Sequence, residues 1–234
     1  MFLTTSTTPV TLANTKAQTA SPIPSPRLRL YDYGESGNGY KVRLLLTQLG
    51  LSFERVELDI LQGQTRTPEF LAKNPNHRIP LLEWPDGRRL AESDAILFHL
   101  AQGSKFLSDD PWERAETLQW MFFEQYSHEP YIAVVRFWHF EGSVDNHRDE
   151  LATRIERGTH ALSVMNGHLA ERDWFVGNHY SIADIALYAY THVAHEGGYD
   201  LSGQPAVRAW IERVAKQPDH VRIDQRVGMP VDWP

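Results

Sequence analysis

Three polar clusters near the amino end of the chain hold the side chains best suited to chemistry. Ser36 and Asn38 stand two residues apart in Tyr-Gly-Glu-Ser-Gly-Asn-Gly-Tyr-Lys (33–41), where an alternating segment gives way to a helical one. Asn-Pro-Asn-His-Arg-Ile-Pro (74–80) places His77 in a loop and Ile79–Pro80 ahead of a strand. Ala-Glu-Ser-Asp (91–94) puts Glu92 and Ser93 at the opening of another helix. A hydroxyl and an amide at one helix start, backbone groups ahead of a proline, and an acid–hydroxyl pair at a second helix start can surround one small polar ligand.

The chain contains no cysteine, which excludes disulfides, thiolate metal sites and a protein-borne thiol nucleophile. Thiol chemistry here requires a thiol that the ligand brings. A helix start suits one, because its first N–H groups lack partners and the helix dipole is positive there. Lowering a free thiol's pKa by about two units needs roughly 2.7 kcal/mol of preference for the anion. A hydrogen bond to a charged group contributes about 1.5–3 kcal/mol and the dipole about 0.3–1 kcal/mol. One hydroxyl at a helix start is enough, and Ser36 need only donate. The plainer reading is that Ser36 or Asn38 simply caps the helix. Tyr31 and Tyr33, in and at the end of the preceding strand, are further donors. Histidines are plentiful, but none falls at a metal-ligand spacing such as HExxH, so no metal is expected.

The 234 residues are 41% hydrophobic and 23% charged, the balance of a globular protein with a sizeable core. A net charge of −7 with dispersed Lys and Arg argues against nucleic acid as a partner. No apolar run is long enough to cross a bilayer. Residues 1–27, rich in Thr, Ser, Ala and Pro, are expected to be a disordered tail.

The elements that must position the clusters follow from periodicity. Residues 28–33 and 53–58 alternate as strands, and Val42, Leu45, Leu46 and Leu49 mark one helical face closed by Gly50. A short helix over 67–72, a hairpin around Pro85-Asp86-Gly87 and a helix from Ser93 complete a β-α-β-α-β-β-α order within 28–103. Residues 104–110 read as a linker. Helical patterns over 112–140 (interrupted near Pro130), 149–171, 181–195 and 205–216 make 111–234 an all-helical domain. On this pattern Lys41 and Arg78 read as solvated surface cations.

These features resemble the cytosolic glutathione transferases. The resemblance covers about 28–216. It rests on Ser36-Gly-Asn-Gly-Tyr-Lys-Val-Arg-Leu-Leu-Leu46, similar to bacterial members, on Asn74-Pro-Asn-His-Arg-Ile-Pro80, on Glu92-Ser93, and on Tyr180-Ser-Ile-Ala-Asp184, which resembles the family's helix-capping motif. It implies a thioredoxin-like α/β domain followed by an all-α domain, in a cytoplasmic homodimer that binds glutathione and conjugates it to small hydrophobic electrophiles in detoxification. Ser36, with Asn38 as its rival, would stabilise the thiolate. A cis Ile79–Pro80 bond would present the Ile79 backbone to the cysteinyl residue, Glu92 and Ser93 would grip the γ-glutamyl end, and His77 the glycyl carboxylate. Tyr33, Tyr126 and Tyr131 would line the co-substrate pocket, and Glu124 would reach a neighbouring subunit's ligand. The Asn-Gly-Tyr-Lys match, similar to nu-class members, keeps open a glutathione-dependent disulfide reductase or peroxidase. A non-catalytic binding module is the third reading.

Overall fold

The computed structural model describes residues 27–233. The tail expected at 1–27 lies, Arg27 apart, outside the described residues. Strand β1 (Leu28–Asp32) leads into helix α1 (Gly37–Gln48), strand β2 (Phe53–Glu57), the one-turn helix α2 (Pro68–Leu71), strands β3 (Leu81–Glu83) and β4 (Arg89–Ala91), and helix α3 (Ser93–Leu100). The expected β-α-β-α-β-β-α order is present. The crossover through α1 makes β1 and β2 parallel, with Leu28 opposite Phe53 and Asp32 opposite Glu57. The turn at Gly87, whose φ of 85° suits glycine, makes β3 and β4 antiparallel.

Helices α4 (Pro111–Phe123), α5 (Glu129–Glu141), α6 (Arg148–Leu169), α7 (Ile182–Thr191) and α8 (Pro205–Ala215) build the second domain. The chain then returns to the first. Strand β5 (Met229–Val231) runs parallel to β2 and completes a sheet of order β4-β3-β1-β2-β5. Residues 111–234 are therefore not helical throughout. Three residues are too few to show an alternation, and Pro230 disguises a strand that stands at the sheet edge. Trp233 follows it and packs edge-on against Tyr31 and Phe70.

Helix α1 is the middle layer. Val42 and Leu46 pack on the sheet with Leu30, Leu82 and Ile96, while Tyr40, Leu44 and Leu45 join the core of the helical domain. One apolar face reads out of the sequence, yet residues 39–46 are all buried. Lys41 and Arg43 are consequently enclosed, which corrects the reading of Lys41 as a solvated surface residue.

The capping motif works as its sequence suggests. Ser181 Oγ accepts the Ala183 N–H, and Asp184 accepts the Ser181 N–H at 2.9 Å. Asp184 also takes the Phe175 N–H and the Trp210 indole N–H at 2.9 Å, tying α7 to α8. Burial pushes its carboxyl up to about 6 against these donors. Asp184→Ala would remove the acceptor of four buried hydrogen bonds, those from the Phe175 N–H, the Ser181 N–H and hydroxyl, and the Trp210 indole. The expected loss is about 3 kcal/mol by urea unfolding, with Asp184→Asn recovering part of it.

Candidate active site

The site begins at the amino end of α1. Ser36 is the N-cap, in extended conformation, and its Oγ accepts the Gly39 N–H at 3.3 Å. The two glycines of the turn are steric requirements. A Cβ at Gly39 would collide with the Asp32 carboxylate, and one at Gly37 with the Tyr190 ring. Asp32 pairs with Arg43, whose guanidinium also donates to the Gly34 carbonyl at 3.0 Å. From the helical domain, Arg136 donates to the Glu35 carbonyl at 2.8 Å, and from the carboxyl-terminal segment Arg226 binds the Glu35 carboxylate at 2.6 Å. The loop ahead of Ser36 is thus held by both domains.

Asn38 is fixed at both ends of its amide. Its amide N–H donates to Glu129 Oε1 at 3.2 Å, and its Oδ1 accepts the Ser93 hydroxyl at 3.3 Å. A carboxylate only accepts, so the amide cannot be reversed. Ser93 Oγ in turn accepts from Lys41 Nζ at 3.3 Å. That ammonium, with no exposed surface, also binds Asp94 at 3.2 Å and Glu124 at 2.9 Å. Burial opposes its charge, but the carboxylates of Asp94 and Glu124 outweigh it and hold the ammonium above its usual range. Burial raises both carboxyls against the pull of that cation; the charge of Glu92 adds to the rise of Asp94, and those of Asp94 and Glu129 to the rise of Glu124, which reaches about 8. Among the described residues, Glu124 Oε1 and Asp94 Oδ2 have no hydrogen-bond partner.

Glu124 and Glu129 reach α1 because the helix between them is widened. Residues 124–128 form a π turn closed by the bond from Glu129 N–H to the Glu124 carbonyl, just ahead of Pro130. In a regular α-helix, side chains five apart point about 140° from each other. The wide turn brings both toward α1, one to Lys41 and one to Asn38. Glu124 is thus fully buried within its own chain, which excludes its expected reach to a neighbouring subunit's ligand.

The predicted residues of the first domain converge on one cleft, of about 680 Å³. Asn74 is buried and shapes the loop 74–78, donating to the Arg78 carbonyl at 2.8 Å and accepting the Asn76 N–H. His77 follows with a φ of 43°, and the Ile79–Pro80 bond is cis. Glu92, exposed and at φ 64°, is the N-cap of α3 and Ser93 its first residue. Ser36, Asn38, His77, Ile79, Pro80, Glu92, Ser93 and Tyr33 all line the cleft. The opposite wall comes from α5 and α7, through Pro130, Ala133, Val134, Phe137, Phe140 and Tyr190. Tyr33 stands edge-on to Phe140 across it.

Tyr126 and Tyr131 do not line the cleft. Tyr126 leaves the π turn toward solvent and is 82% exposed. Tyr131 faces α6, where its hydroxyl accepts from Arg157 at 3.1 Å. Tyr31 is buried between Phe70 and Trp233 and is no donor to the cleft. Sequence reasoning missed Tyr190, Glu129 and Arg136. A signal for Tyr190 exists: it lies in an apolar stretch buried all round, where a phenol requires a hydrogen-bond partner.

Two family models match the chain: Glutathione S-transferase, N-terminal domain, over residues 26–102, and Glutathione S-transferase, C-terminal domain, over residues 119–218. The chain belongs to the glutathione S-transferase family. It is similar to a glutathione S-transferase of Pseudomonas fluorescens [Pf-5] of known crystal structure, at 54% identity and a TM-score of 0.82 over 84% of this chain and 98% of the other. A glutathione transferase from Pseudomonas putida, crystallised with one glutathione disulfide per subunit, matches at 31% identity and a TM-score of 0.75 over 85% and 91% of the two chains. Disulfide-bond oxidoreductase YfcG of Escherichia coli (strain K12) is 32% identical over 80% of this chain and 89% of its own. No helix of the described residues is long and apolar enough to cross a membrane, and no acid–histidine cluster among them could hold a metal ion.

Removing the buried cation tests the array. Lys41→Met leaves two enclosed carboxyls without it, at an expected cost of about 3–5 kcal/mol at pH 8. A carboxyl whose folded pKa exceeds its unfolded one binds more protons when folded, so stability rises as pH falls from about 8 toward 4.5. Lys41 lowers both carboxyls in the parent, so they stand higher still in the variant, which gains more from their protonation. Its deficit against the parent, from urea midpoints, therefore shrinks toward pH 5. A deficit independent of pH would contradict this assignment.

Proposed function

We propose that the protein binds reduced glutathione in this cleft, stabilises its thiolate at the start of α1, and delivers it to an electrophilic, largely apolar co-substrate. The observation that supports this most is that every polar group such a ligand needs opens onto one cleft in a chain without cysteine. Ser36 donates its O–H to the sulfur. Asn38, held by Ser93 and Glu129, offers its second amide proton beside it. The Ile79 backbone pairs with the cysteinyl residue. Glu92 takes the γ-glutamyl ammonium. The carboxylate of the same residue rests on the free N–H groups at the start of α3, because the Ser93 hydroxyl is already engaged by Lys41 and Asn38. His77 faces the glycyl carboxylate. In the reaction the thiol proton leaves to solvent, sulfur attacks an electrophilic carbon, and the bond from that carbon to its leaving group breaks. Tyr33, Val134, Phe137 and Phe140 hold the co-substrate by burying its apolar surface.

The expected second copy fits the exposed apolar side chains near α4, Trp112, Phe122 and Tyr126, so that Tyr126 serves assembly in a cytoplasmic homodimer.

A second reading keeps the site and changes the electrophile to a disulfide, whose sulfur the thiolate attacks to give a mixed disulfide and a free thiolate. Its support is the similarity to YfcG and to the protein that carries glutathione disulfide. Relative rates on an aryl chloride and a small dialkyl disulfide separate the two. Under either reading, Ser36→Ala lowers kcat/KM by about ten- to a hundredfold while the fold survives. Unchanged turnover in that variant moves the donor role to Asn38.

A further inference from the structure

Ala133, Arg136, Phe137 and Phe140 fall at i, i+3, i+4 and i+7 of α5, one helical face, and all four line the cleft. A cation therefore interrupts an otherwise apolar stripe. Arg136 is 6% exposed. Its Nε binds Glu196 at 2.6 Å and its Nη1 binds the Glu35 carbonyl at 2.8 Å. The third nitrogen, Nη2, has no hydrogen-bond partner among the described residues and is not sealed from solvent. A donor held in an apolar wall costs free energy until an acceptor reaches it.

The charge of this guanidinium is also poorly balanced. Its counter-ion Glu196 is 44% exposed, so water screens the pair. The nearer acids of the cleft are occupied elsewhere: Glu35 by Arg226, and Glu129 by Asn38. Ser36 follows Glu35 directly, so Arg136 stands beside the turn where the nucleophile is to form. We propose that the co-substrates of this cleft carry a carboxylate, a short apolar spacer away from the reacting carbon, and that Arg136 Nη2 is the donor that holds it. This names the co-substrate class for the glutathione reading and rests on that reading. With an aryl chloride, the glutathione thiolate attacks the ring carbon that bears chlorine. The carbon–sulfur bond forms, and chloride leaves with the electron pair of the broken bond. The carboxylate takes no part in that exchange. It fixes the ring against Phe137 and Phe140 with the reacting carbon toward Ser36, as a single placed polar group does in an apolar pocket.

The test uses the full chain, glutathione, and a chlorodinitrobenzoate against its own methyl ester. Each kcat/KM is divided by the uncatalysed rate with glutathione, and the ratio of acid to ester is read. The parent favours the acid about tenfold, chiefly through KM, and the preference shrinks as salt is added. Arg136 also braces the loop ahead of Ser36, so Arg136→Met slows both substrates, but the ratio falls to about one. A disulfide pair, dithiodipropionate against hydroxyethyl disulfide, gives the same comparison if the electrophile is a disulfide. A parent without preference for the acid, or a ratio unmoved in Arg136→Met, overturns the inference. Should that variant not fold, Glu196→Gln removes the screened counter-ion and raises the ratio about two- to threefold; a ratio that does not rise there overturns it equally. A parent that binds no glutathione in calorimetry removes the underlying reading instead, so the two failures are distinguishable.

Discussion

Helix α1 lies between the sheet and the helical domain, and its two cations, Lys41 and Arg43, have no route to water. Enclosed charges must be paired or neutralised. Arg43 therefore binds Asp32 at the end of β1, and Lys41 binds Asp94 at the start of α3 and Glu124 of the π turn. These pairs do more than satisfy α1. Asp32 also takes the Tyr33 N–H, and Arg43 the Gly34 carbonyl, so the loop that leads to Ser36 is fixed from beneath. Lys41 orders Ser93, and Ser93 orders Asn38. Buried ion pairs add little net stability compared with apolar packing, but they are directional. Here the direction sets the rotation of α1 about its axis, and with it the aim of Ser36 and Asn38.

That arrangement divides the labour of the cleft. The first domain contributes helix starts, a loop shaped by Asn74 and an exposed acid, which are groups that hold charge and backbone. The second contributes a mostly apolar wall from α5, together with the tyrosine and the arginine that brace the opposing loop. On the proposed function, a thiolate at the boundary between them would be held by oriented dipoles on one side and would face a mostly apolar surface on the other. Such a boundary strengthens each hydrogen bond to the anion and weakens competition from water. The glutathione S-transferase family membership and the local chemistry agree on this division.

Much of this was legible in the sequence, because it depended on local signals. The β-α-β-α-β-β-α order followed from periodicity and turn residues, and the cleft-lining residues of the first domain stood in contiguous motifs. The illegible parts depended on pairing at long range. Lys41 reads as a surface lysine because nothing nearby in sequence announces Glu124. The π turn appears only as a break near Pro130, and the widening that turns Glu124 and Glu129 toward the same helix has no composition of its own. Tyr126 lies within that turn and Tyr131 follows it, and neither faces the cleft. Tyr190 was hidden in an apolar run, and β5 in three residues containing a proline.

On the proposed function, bound glutathione places its sulfur at the start of α1, within reach of a hydroxyl and an amide held there from both domains. A crystal structure of the protein soaked with reduced glutathione measures this directly. The sulfur is expected within hydrogen-bonding distance of Ser36 Oγ, with Asn38 Nδ2 beside it and the γ-glutamyl group at Glu92 and the start of α3. A sulfur whose nearest donor is the Tyr33 hydroxyl, or a peptide bound away from Ile79 and Glu92, would contradict it.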